Sequence, residues 1–244
     1  VALSDGVAIV RFTRQDRKNA FTAEQVRALG QALDELALND SARVLVITGE
    51  GGTFNVGGLR PNRQPTIPSR PWEVSRAAHR SQLRAACEVV RTISRIPKVT
   101  IAAINGGCAG AGLALALAAD LRYASAGAKF NTGFLAHGNP GELGAIWHSV
   151  RLLGRAATVE LFALTEKFDA DRALELGLVN RVFPDSELLT SVGEIARAIA
   201  KFEAGALRAM KANWMDALSA SFDEYLERET ERLLDLRWST SDYP

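Results

Sequence analysis

Only two cysteines, Cys87 and Cys108, and three histidines occur in 244 residues. That excludes a disulfide framework and leaves little material for a protein-ligated zinc site. A reducing compartment, and so a cytoplasmic location, is the expectation. The longest apolar run, Ala109–Ala119, is about half of the roughly 20 residues that a spanning helix needs. Charge of one sign is missing too: 29 Lys plus Arg face 28 Asp plus Glu, a net charge of +1. A globally basic nucleic-acid binder and an acidic tail are thereby excluded, so neither nucleic acid nor membrane is expected as a partner. Val1 opens directly on a turn and strand pattern, with no basic segment before an apolar run, so no signal peptide is expected.

What is present suits a packed core. With 47% hydrophobic residues, the chain has material for one large or two modest domains. Val7–Phe12 alternates as a strand, and Thr22-Ala-Glu-Gln25 has the spacing of a capping box that opens a helix marked by Val26, Leu29, Leu33 and Leu36. Arg43–Thr48 and Val99–Ile104 are short β-branched runs of the kind buried on both faces of a sheet. Between them, Gly57 to Pro71 reads as a loop, and Leu83, Cys87 and Val90 mark a helix that Pro97 stops. Leu113–Ala119 reads as a buried helix, Leu121–Ala124 and Ala128–Asn131 as short strands, and the chain beyond Glu142 as mostly helical, interrupted at Leu178–Phe183. Trp147, Trp214 and Trp238 are expected as packing anchors.

Common catalytic signatures are absent. The glycine cluster Asn105–Gly112 fails the dinucleotide spacing, because the third glycine would fall on Leu115. GxSxG, HExxH, the Walker A lysine pattern and CxxC are missing as well. What the glycines offer is backbone: a strand ending at Ile104, a glycine-rich turn and a helix starting near Gly112 would leave free N–H groups aimed at a ligand oxygen. A second glycine-rich strand end, Phe54–Gly58, would supply another donor, giving an oxyanion hole. The alternative is that both clusters simply permit close packing. Arg60, Arg63, Arg70, Arg76, Arg80 and Arg84 face a single acid, Glu73, which suits phosphate contact or an ordinary solvated face.

In order and spacing these segments resemble the crotonase superfamily, also called the enoyl-CoA hydratase/isomerase family, over nearly the whole chain. The stretches that carry the resemblance are Arg17–Phe21, Val44–Phe54 with Gly57 and Gly58, Ile104–Gly112 with Asp120, and Ala173–Pro184. It implies an α/β fold, a spiral of ββα turns over residues 1–184, with a helical C-terminal trimerisation region over 185–244. It implies homotrimers or homohexamers and an acyl-CoA substrate, with no cofactor beyond the coenzyme A of that substrate. The oxyanion N–H groups fall on Gly58 and Ala111. Lys18 and Ala20 fall beside the adenine, and Gly57, Arg60, Gly110 and Phe134 complete the substrate-binding set.

The sequence departs from that pattern where family hydratases carry two glutamates, the acid and base that place water across a double bond. Those positions are Ala114 and Phe134, and the aspartate that often follows the first oxyanion residue is Leu59. Glu142 stands where the family's aryl-CoA dehalogenases place a nucleophilic aspartate. A carboxylate there would serve as nucleophile or as a base for an α-proton, or would merely complement the dipole of the next helix. His137, His148 and Cys108 are further candidates, each set against a structural role. The leading expectation is an acyl-CoA enzyme that stabilises a thioester enolate or oxyanion but is not a standard hydratase. Two rivals stand beside it: a CoA-independent β-diketone C–C hydrolase of the same fold, and a non-catalytic binding subunit.

Overall fold

The structure, a computed structural model, describes residues 1–58 and 76–239. Its strands are β1 (Ala2–Ser4), β2 (Val7–Phe12), β3 (Val44–Gly49), β4 (Thr53–Asn55), β5 (Val99–Ile104), β6 (Gly107–Ala109), β7 (Leu121–Ser125), β8 (Lys129–Asn131), β9 (Phe168–Asp169) and β10 (Arg181–Phe183). Its helices are α1 (Ala23–Leu38), α2 (Arg76–Arg95), α3 (Ala111–Ala118), α4 (Ala145–Leu164), α5 (Ala170–Glu175), α6 (Leu188–Ala200), α7 (Ala204–Asp216) and α8 (Phe222–Ser239). A six-stranded sheet runs β1-β2-β3-β5-β7-β10 and a four-stranded sheet β4-β6-β8-β9. Three times in succession the chain lays one strand in the larger sheet, the next in the smaller, and then a helix: β3-β4-α2, β5-β6-α3 and β7-β8-α4. That repetition is the ββα spiral.

The long apolar strands follow from coverage on both faces. Val44 and Val46 of β3 join Ile101 and the α6 residues Leu188, Val192 and Ala196 in one buried cluster. Leu45 and Ile47, pointing the other way, pack with Leu29 and Leu33 of α1 and Ile93 of α2 in the second. Every residue of α3 is buried, as a helix apolar on all sides must be. Thr22 caps α1 through a capping box completed by Gln25, as the sequence suggests. Helix α4 carries non-helical backbone at Gly154 (φ 76°).

The helix marked by Leu83, Cys87 and Val90 is α2, exposed over its first half and buried only toward Val89, Val90 and Ile93. One expectation is corrected. Trp147 and Trp238 are not packing anchors, at 46% and 74% exposure. Both faces of α8 are largely solvated, and among its apolar residues Phe222, Leu226 and Leu233 are exposed. Among the described residues, no helix is long and apolar enough to cross a membrane.

Candidate oxyanion site

The two glycine-rich turns meet because the strands before them are neighbours. β4 and β6 pair in parallel, with Thr53 opposite Gly107 and Asn55 opposite Cys108, across an irregularity in register. Parallel partners end at the same edge, so the turn after Asn55 and the turn after Ala109 emerge side by side. The closeness is measurable: a Cβ placed on Gly57 would lie 3.1 Å from Ala111 N and 3.2 Å from Ala109 O. Gly57 adopts φ +90°, where a side chain would be strained in addition.

Ala111 is the first residue of α3, so its N–H has no partner within the helix. Gly110 before it turns the chain at φ 53° and donates its own N–H to Asn131 O at 3.1 Å. On the other side, Phe21 N–H donates to Gly57 O at 2.7 Å in a parallel bridge between Phe21 and Gly58. That bond occupies the Gly57 carbonyl and leaves the Gly58 N–H out of the pairing. Gly58 itself is exposed. The turn that holds Gly58 and the first residue of α3 thus lie side by side at one edge, held there by the pairing of β4 with β6.

Carboxamides fix the turns, a feature that the sequence reading missed. Buried Asn55 accepts the Gly57 N–H on Oδ1 (2.8 Å) and donates from Nδ2 to Asn19 O (2.5 Å). Asn19, at φ 56°, donates from its own Nδ2 to Glu50 O and Thr53 O. Asn105 clasps Gly49 from both sides, accepting its N–H at 3.1 Å and donating to its carbonyl at 2.8 Å. The segment that holds exposed Lys18 and buried Ala20 is thereby tied to the Gly58 turn. Asn in a glycine-rich stretch was the available signal, since its side chain satisfies turns locally.

The remaining candidates separate. Ala114 is fully buried in α3, and Phe134 is buried with its ring stacked on Phe162 at 5.7 Å. Glu142 is half-buried and lies before Gly144, the N-terminal cap of α4, outside the helix proper; its carbonyl accepts Ala145 N–H. His137 is exposed in a short 3-10 turn, Leu135–His137. Cys108 is fully buried and burial pushes its thiol up, which removes it as a nucleophile. His148 sits not at the oxyanion turns but at the other end of α3, in the wall of a cavity of about 470 Å³ shared with Ala118, Ala119 and Arg122. Burial, reinforced by Arg122 and Arg151, pushes its imidazole down to about 4. Arg60, with Leu59, Arg63, Arg70 and Glu73, lies outside the described residues, whereas Arg76, Arg80 and Arg84 are exposed along the start of α2. No cluster of His, Cys, Asp and Glu among the described residues is placed to hold a metal ion.

The model of the family described as enoyl-CoA hydratase/isomerase matches residues 2–240. 4-Chlorobenzoyl coenzyme A dehalogenase-2 of an Arthrobacter species is 30% identical over 95% of this chain and 82% of its own length. 1,2-Epoxyphenylacetyl-CoA isomerase of Escherichia coli is 31% identical over 93% of this chain and 86% of its own. Among solved structures, a Thermobifida fusca protein assigned as an enoyl-CoA hydratase and crystallised with acetoacetyl-CoA superposes with a TM-score of 0.88. It is 28% identical and covers 98% of this chain and 94% of that one. Paired strand ends, a ββα spiral and matches along almost its full length lead to one conclusion: the chain belongs to the enoyl-CoA hydratase/isomerase family, the crotonase superfamily.

Proposed function

We propose that this protein binds an acyl-CoA, polarises its thioester carbonyl between the N–H groups of Gly58 and Ala111, and performs chemistry other than standard hydration. The observation that carries this reading is the approach of the Gly57–Gly58 turn to the first residue of α3, within 3.1 Å of Ala111 N as measured from a Cβ on Gly57. Two N–H donors converging on one point stabilise charge as it develops on oxygen, in an enolate or in a tetrahedral intermediate. Hydration needs in addition an acid and a base at the double bond. The two positions where the family's hydratases carry them hold Ala114 and Phe134, both buried and neither able to move a proton.

Glu142 is then the carboxylate of the site. It acts as a nucleophile that adds to a carbon conjugated with the polarised thioester, or as the base that removes an α-proton, and in either case the displaced electron pair moves onto the thioester oxygen held by the two N–H groups. Phe134 forms an apolar wall, and Lys18, Ala20, Gly57, Gly110 and Arg60 contact the coenzyme. A 4-halobenzoyl thioester belongs among the substrates tested, given the dehalogenase relative. Homotrimers or homohexamers are the proposed assembly, supported by the exposed apolar residues of α8, and a cytoplasmic location is supported by two free cysteines.

Calorimetric titration with CoA and a panel of acyl-CoAs, run beside a crotonyl-CoA hydration assay and the Glu142→Gln variant, tests this. Expected are binding of acyl-CoA, hydration far below that of a family hydratase, and loss of turnover on the productive thioester in Glu142→Gln with binding retained. Ordinary hydration of crotonyl-CoA overturns the chemistry. Absence of any CoA binding favours the CoA-independent diketone hydrolase, and full CoA affinity without turnover on any thioester favours the non-catalytic subunit.

A further inference from the structure

We propose that the cavity at the C-terminal end of α3 is a second ligand site, separate from the oxyanion turns, for an amphiphilic monocarboxylate: one carboxylate on an apolar alkyl or aryl tail. The cavity, of about 470 Å³, is lined by Leu117, Ala118 and Leu121 on one side and by Ile199, Leu207 and Trp214 on the other. That volume lies within the roughly 300–1,000 Å³ of typical small-molecule sites, which are apolar with a few convergent polar groups. Along α3 it is about 10 Å from Ala111, at 1.5 Å per residue.

The polar groups that converge here are cationic. Arg122 is 3% exposed. It donates from Nε to Leu178 O at 2.8 Å and from Nη1 to Ala119 O at 2.5 Å. Both acceptors are neutral carbonyls, and Nη2 makes neither bond. Burial pushes this guanidinium down to about 10, which still leaves it charged at neutral pH. Arg151 enters the lining from α4 with its guanidinium 3.6 Å over the ring of Trp147. His148, from the same helix, contributes a neutral imidazole with one N–H to give.

The acid in the lining is already engaged. Asp120 Oδ2 accepts from Thr100 N at 2.7 Å, from Thr100 Oγ1 at 2.9 Å and from Lys211 Nζ at 2.9 Å. Ser94 Oγ is directed at the carbonyls of Val90 and Ala118. One carboxylate thus sits among three full positive charges, on Arg122, Arg151 and Lys211, two of them buried. An incoming carboxylate corrects that imbalance and takes up guanidinium donors, for which its planar pair of oxygens is suited. The apolar walls take the tail.

The probe is dodecanoate, titrated into the full chain by calorimetry and by tryptophan fluorescence, with dodecan-1-ol as the uncharged control. Expected at pH 7.5 is saturable binding with one dodecanoate per chain, at least tenfold tighter than the alcohol. Arg151→Gln, at an exposed position that leaves folding intact, weakens dodecanoate at least tenfold and leaves the alcohol unchanged. Leu152→Trp, which fills the mouth, removes binding of both. Equal affinity for acid and alcohol, or an affinity that Arg151→Gln does not move, overturns the proposal. So does sedimentation showing that chains associate through this face and that association excludes dodecanoate, because a second copy would then be the occupant. CoA affinity is unchanged in both variants, so failure here is distinct from failure of the acyl-CoA reading.

Discussion

Substituting Gly112 by Ala probes the backbone origin of the proposed oxyanion site more sharply than any side-chain deletion. A Cβ on Gly112 would sit 2.1 Å from Asn55 O and 2.7 Å from Asn55 C, both rigid backbone atoms of β4. Ordinary contact begins near 3.5 Å, so α3 and β4 must separate by roughly 1 Å. Gly112 follows Ala111 directly, and Asn55 holds the Gly57 N–H through its own side chain, so that separation pulls the two donors apart. A displacement of about 1 Å costs about 100-fold in rate, and losing one oxyanion donor costs about 100- to 1,000-fold. Overpacking adds about 1–3 kcal/mol of lost stability. Gly58→Ala is the control. Its Cβ meets nothing within 4 Å among the described residues, its φ is not positive, and its N–H survives. The assay is the enolate absorbance of bound acetoacetyl-CoA, read beside the melting temperature and the affinity for CoA. Gly112→Ala is expected to lose the enolate band and several degrees of Tm, and Gly58→Ala to keep both. If the two variants behave alike, the donors are not positioned by the approach of β4 to α3.

His148 makes stability depend on pH. Its folded value, about 4, lies below the ordinary 6.5 or so, so between these values the unfolded chain binds the extra proton and stability falls as the pH drops from about 6.5 to 4, by at most about 3 kcal/mol. Urea midpoints across that range should show the slope, and His148→Gln should flatten it. Lys211→Met strips Asp120 of its buried cation, at 2.9 Å and 3% exposure, and is expected to cost about 3–5 kcal/mol in chemical denaturation; a loss below 1 kcal/mol would show that the Thr100 bonds suffice. Glu203 caps α7 by accepting Gly205 N–H and Ala206 N–H at 2.7 and 2.6 Å, so Glu203→Ala should cost about 1 kcal/mol by the same method, with no change in CoA binding.

The elements legible in the sequence were those governed by local rules. Thr22 and Gln25 announced α1 because a capping box is spelled within four residues. β3 and β5 showed as continuous apolar runs because helices cover both of their faces. Gly58 and Ala111 were singled out by the order of motifs; that their two turns lie side by side follows from β4 pairing with β6, over 50 residues apart along the chain, which no local pattern reports. Leu83, Cys87 and Val90 located α2, but helical spacing records a stripe without saying whether anything packs on it, and the stripe is buried only from Val89 on. Trp147 was read as an anchor by size, yet its ring carries Arg151 at the surface. Asp120, Lys211 and Arg122 drew no electrostatic reading, since the partners of Asp120 come from β5 and α7. Charge alone in a sequence does not show burial.

The parallel pairing of β4 with β6 makes the proposed polarising device a property of the backbone, with side chains needed to shape its turns and not to touch the substrate. Substitution by any residue other than proline leaves an N–H in place, provided the backbone holds its register. The groups that would move protons are interchangeable by comparison: in the proposed site a glutamate introduced at Ala114 or Phe134 would act at the carbons of the double bond while the backbone still held the thioester oxygen. Such a fold would separate the part that activates a substrate, where glycine and asparagine shape a backbone, from the part that decides its fate, where side chains must reach the reacting atoms.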